Sequence, residues 1–125
     1  MDGNTISGSV PAFQDTMHVS LPNQLEYAGQ AFPLALGVKA GDLGEACGWI
    51  AENAGQIERQ AASHGAVLIR GLPLGTPGDF DAAVAAFGFP NFAYEDSLSN
   101  AVRVVYTARV FSANEAPPET TIFLH

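Results

Sequence analysis

The chain has 125 residues, enough for one domain or for a piece of a larger one. Apolar residues make up 47% and charged residues 14%, with a mean hydropathy of +0.12, which excludes a disordered tail or a coiled coil and leaves material for a core. Thirteen acidic against five basic residues give a net charge of −8, and with no Lys/Arg cluster to offset it this balance argues against nucleic acid as a partner.

No apolar stretch approaches the roughly 20 residues of a membrane-spanning helix. The opening residues lack the basic and apolar regions of a signal peptide. The lone Cys47 excludes an internal disulfide and any CxxC-type metal site. These features together imply an acidic, cytoplasmic domain without a membrane partner.

Residues 1–31 read as an irregular lead-in, broken by Pro11, Pro22 and scattered Gly and Asn. Within it Met17, Val19 and Leu21 alternate with polar residues, the pattern of a short edge strand. Phe32-Pro33-Leu34-Ala35-Leu36 is an apolar run that Pro33 biases towards extended backbone.

Asp42 and Glu45 have the spacing of a capping box, in which side chains satisfy the amides left free at a helix start. Leu43, Ala46, Cys47, Ile50, Ala54, Ile57 and Ala61 then recur at steps of three and four, predicting one apolar helix face. Trp49 falls on its flank as a packing residue, and Gly65 is placed to stop the helix.

Ala66-Val67-Leu68-Ile69 predicts a strand covered on both faces, ended by Arg70-Gly71. Thr76, Pro77 and Asp79 open a second helix with Phe80, Ala83, Val84 and Phe87 as its buried face, and Gly88 closes it. Residues 90–100 read as a loop and 102–106, or 102–111 at the longest, as a strand. Residues 112–119 form a turn containing Pro117-Pro118, and 120–125 a final strand. Helix, strand and helix in that order imply an α/β layer.

The titratable candidates are few. His18 lies in the polar lead-in and reads as a surface residue. His64 precedes the helix-stopping Gly65, where a cationic side chain suits the negative end of the helix. His125 is different: on an alternating strand it shares a side with Thr121 and Phe123, and a carboxylate two residues on would share that side too. A histidine and a carboxylate so spaced can grip one metal ion, as in a facial triad. Residues 71–78 lack the spacing of a phosphate loop. Neither Ser63-His64 nor Ser112 sits in a nucleophile elbow. Cys47, on the apolar helix face, reads as a small buried hydrophobe. Asp79 and Asp81 suit a helix N-terminus without further explanation.

The order of several motifs resembles the TauD/TfdA family of Fe(II)/2-oxoglutarate-dependent dioxygenases, and its SyrP-like branch in particular. The residues that carry the resemblance are Phe32-Pro33-Leu34, Asp42-Leu43, Trp49-Ile50-Ala51-Glu52-Asn53, and the block from His64 to Leu72. Phe80, Phe87-Gly88, Glu115-Ala116-Pro117-Pro118 and Ile122-Phe123-Leu124-His125 follow. The resemblance covers about residues 32–125.

It implies an α+β fold, the N-terminal portion of a double-stranded β-helix (a jelly roll of the clavaminate synthase-like kind) with flanking helices. Residues 1–31 would be the lead-in and 32–125 the first part of the dioxygenase domain. The chain would stop at the first iron ligand, before the partner carboxylate, the distal histidine and the arginine that anchors 2-oxoglutarate. It also implies His125 as a metal ligand, and Fe(II) and 2-oxoglutarate as cofactors. O₂ and a small amino-acid-like molecule, free or carrier-tethered, would be the substrates. Glu95, Asn114, Glu115 and Thr121 lie on approach segments and become candidate substrate residues. Arg70 and Gly71 belong to a block with a structural role, the charge being paired. Hydroxylase and halogenase of the same fold differ at a residue beyond His125, and a third reading, a non-catalytic jelly-roll fragment or accessory domain, predicts neither iron binding nor succinate formation.

Overall fold

A computed structural model describes residues 16–91, 103–113 and 115–121. Its longest element is a helix, α1 (Leu43–His64), and both ends of that helix follow from local chemistry. Asp42 is extended, with φ −151° and ψ 176°, and its Oδ1 accepts a hydrogen bond from the Glu45 amide at 2.8 Å. The Glu45 carboxylate in turn accepts from the Gly41 amide at 3.0 Å, one residue before the position an ideal capping box would use. At the far end Gly65 takes φ +92° and donates its N–H to the Ala61 carbonyl at 2.8 Å.

Four strands precede the helix: β1 (Thr16–His18), β2 (Leu25–Tyr27), β3 (Gln30–Phe32) and β4 (Leu34–Val38). After it come β5 (Val67–Arg70) and a second helix, α2 (Pro77–Ala86). β4 is central in a three-stranded sheet, antiparallel to β1 with Met17 opposite Gly37, and parallel to β5 with Leu36 opposite Ile69. α1 is therefore the helical crossover that joins two parallel neighbours, as parallel pairing requires. β2 and β3 form a separate hairpin. Its two-residue turn, Ala28-Gly29, holds both residues at positive φ, 51° and 80°, as a hairpin turn matched to strand twist demands.

The core lies between the sheet and the helices. Leu34, Leu36 and Val38 of β4 pack with Trp49, Ile50 and Ile57 of α1 and Ala83 of α2, and Leu36 and Ile50 are fully buried. Val67, Ile69, Leu72, Leu74, Ala86 and Phe87 close around them. α2 starts where Thr76, in extended backbone, accepts from the Asp79 amide at 3.1 Å, with Pro77 in the first turn. It rests against α1.

Several expectations need correction. The buried face of α1 is turned towards Trp49: Ala46, Trp49, Ile50, Ile57 and Gln60 are buried, whereas Leu43, Cys47, Ala54 and Ala61 are only half-buried. An indole offers far more apolar area than an alanine, and its Nε1–H is satisfied by donating to Thr16 Oγ1 at 3.1 Å. β5 is not covered on both faces. Leu68 is 37% exposed while Val67 and Ile69 pack inward, because β5 is an edge of the sheet among the described residues. The strand covered on both faces is β4, where Ala35 is as hidden as Leu36.

In α2, Phe80 and Val84 are 49% and 37% exposed; this short helix meets the core through Ala83, Ala86 and the following Phe87. Residues 103–111 form no strand. They fold into a tight excursion with one bridge, Val105 to Phe111, and only Val110 buried. Residues 25–31, expected to be irregular, form the β2–β3 hairpin together with Phe32. Among the described residues, then, the architecture is α+β with two helices and open sheets, and no jelly-roll closure is present.

Gly71 is a fixed point of this arrangement. It takes φ +94°, and a Cβ placed on it would lie 2.3 Å from the Val38 carbonyl oxygen. Gly71→Ala is expected to lower the unfolding free energy by about 2–3 kcal/mol, combining left-handed strain with that clash; an unchanged urea midpoint would show that the close approach is dispensable. Asp42→Ala should cost about 1 kcal/mol while Asp42→Asn costs little, since either Asp or Asn can accept from the Glu45 amide. Equal losses in the two variants would refute the capping role.

Candidate functional site

The residues singled out for chemistry divide by where they fall. His125, the expected metal ligand, lies outside the described residues, as do Glu95 and Asn114. Glu115 and Thr121 are described, and both are exposed. The turn between them is closed by the Thr120 amide donating to the Pro117 carbonyl at 2.9 Å, in line with the turn expected at Pro117-Pro118. Among the described residues no group of three or more His, Cys, Asp or Glu side chains could hold a metal ion.

The other two histidines have the roles their surroundings allow. His18 ends β1 and is exposed. His64, at the last turn of α1, donates from Nδ1 to the Ala31 carbonyl at 2.7 Å, so it ties the helix end to β3. Which ring nitrogen carries the hydrogen follows here from the acceptor, since a carbonyl can only accept. Arg70 ends β5 with its side chain exposed, and among the described residues it makes no ion pair. Cys47 is half-buried on the flank of α1.

Among the described residues a polar cluster joins α2 to the 106–110 excursion, and no local sequence motif marks it. Thr107 Oγ1 accepts from the amides of Arg109 and Val110 at 3.1 and 3.0 Å, and the Val110 carbonyl accepts from the Tyr106 and Thr107 amides. Arg109 pairs with Asp81 at 3.1 Å, and Asn91 donates its side-chain amide to the Ala108 carbonyl at 3.1 Å. A side-chain hydrogen bond from Thr107, the largest effect, lowers the Asp81 carboxyl from its ordinary value; burial opposes it next, and the Arg109 guanidinium adds to the lowering.

Beside this clamp a cleft of about 250 Å³ is lined by Val84, Phe87, Phe89, Pro90, Asn91 and Arg109. Phe87 and Phe89 stack there with ring centroids 6.1 Å apart. Asp81 also suits the N-terminal end of the α2 dipole. Its partner is 28 residues away, and nothing local in the sequence pairs them.

No family model matches the chain. The chain is similar to a clavaminate synthase-like protein of Arabidopsis thaliana, with 44% identity over 61 residues. That stretch is 49% of this chain and 18% of the relative, so the chain spans well under two thirds of the protein it matches. The likeness extends over those 61 residues. It does not single out the SyrP-like branch. No helix among the described residues is long and apolar enough to cross a membrane.

The Asp81–Arg109 clamp makes a pH prediction. Because the Asp81 carboxyl is depressed in the folded state from its ordinary 3.8, its contribution is present above that value and is lost as pH falls through the folded pKa. Wild type should therefore exceed Asp81→Asn in urea midpoint at pH 6, with the gap closing as the pH drops below 3.8. A gap independent of pH would mean that Asp81 acts by packing, and added salt should narrow the gap if the ion pair contributes.

Proposed function

We propose that this chain is part of an Fe(II)/2-oxoglutarate-dependent dioxygenase of the TauD/TfdA type, in its SyrP-like branch. It would hydroxylate a small amino-acid-like substrate, free or carrier-tethered, using O₂. The observation that carries the reading is the 44% identity over 61 residues to a clavaminate synthase-like protein. The fold is in keeping with it: a parallel β4–α1–β5 unit, with open sheet edges able to accept further strands.

On this reading residues 32–125 contribute the first part of the catalytic domain, and His125 is a ligand of the iron. Among the described residues no group of three or more His, Cys, Asp or Glu side chains fits a metal ion, and the role proposed for them is support. α1 and the sheet form the rigid base, while the Asp81–Arg109 clamp fixes the 106–110 excursion that precedes the Glu115–Thr121 approach segment. Glu115 and Thr121, both exposed, are the described side chains proposed to meet substrate. When bound, the iron with 2-oxoglutarate would supply the oxidising power, and the protein would position the C–H bond.

The protein that carries this sequence should convert 2-oxoglutarate to succinate in an Fe(II)-dependent manner. His125→Ala should abolish both iron binding and succinate release, whereas His18→Ala, on the exposed end of β1, should leave both unchanged. Full succinate release by His125→Ala would remove the ligand assignment. An absence of iron-dependent succinate in the unaltered protein would overturn the dioxygenase reading.

A further inference from the structure

We draw no further inference here: the strongest candidate, the cleft between the C-terminal end of α2 and the 106–110 excursion lined by Val84, Phe87, Phe89 and Arg109, is an apolar face with nothing in the structure to show what covers it, and its one charged group is already paired with Asp81.

Discussion

The contact between Leu36 of β4 and the Ile50 side of α1 is the constraint on which the other elements depend. α1 is a poor helix in isolation: Gly44, Gly48 and Gly55 lie in its interior, each costing up to about 1 kcal/mol relative to Ala. Gly48 has open space where a side chain would stand, so close approach to a neighbour does not explain it. The deficit is of the order of 3 kcal/mol over the three positions. Burying an Ile or Leu side chain contributes about 1.5–3 kcal/mol each, and Ile50, Ile57 and Trp49 are all buried here against Leu34, Leu36 and Val38. Packing therefore outweighs propensity, and α1 exists as a helix because β4 exists as a covered strand. The dependence is mutual, because a parallel β4–β5 pair needs the crossover helix to bring its second strand back.

Polar contacts then decide how the peripheral pieces attach to that unit. Two side-chain hydrogen bonds of long sequence range are among them. The Trp49 indole donates to Thr16 on β1, and the His64 imidazole donates to the Ala31 carbonyl on β3. Both involve groups that could not be buried without a partner, and both reach across 33 residues of sequence. The hairpin is positioned a second time by Gly65, where a Cβ would come within 2.8 Å of the Phe32 ring. The end of α1 and the end of β3 thus occupy one crowded spot, which allows a helix stop and a ring to share space only if the stop is glycine.

What the sequence made legible follows the range of the interactions concerned. Both helix starts were readable because Asp42–Glu45 and Thr76–Asp79 are bonds over three residues, and the α1 stop was readable because Gly65 answers a local need. The faces were read less well. A period of 3.6 finds a stripe, but its rotation is set by which large side chain finds a partner, and Trp49 found Thr16. The β2–β3 hairpin escaped notice because Ala28 stands where Asn or Asp would have signalled a turn with positive φ. Residues 103–111 carried the β-branched composition of a strand, yet a strand needs a neighbour to pair with. Thr107 instead offers its hydroxyl to the amides of Arg109 and Val110 and folds the segment on itself. Of the candidate site, only the exposed Glu115 and Thr121 fall among the described residues, and a pairing such as Asp81 with Arg109 has no local signature to read.

The block from His64 to Leu72 shows how a motif can mark a fold without holding its chemistry. His64 is engaged with a backbone carbonyl, Gly65 gives way to the Phe32 ring, Val67 and Ile69 face the core, and Gly71 passes against the Val38 carbonyl. Five of its positions are thus committed to joining α1, β3, β4 and β5, and each commitment restricts residue type for packing, steric or hydrogen-bonding reasons. A sequence free to vary at a substrate-facing surface would still keep such a block, because altering any of the five loosens a junction between elements. The dioxygenase chemistry proposed above would use His125 and the approach segment before it, and the block would serve that chemistry by holding the junction between α1 and the sheet edge in place.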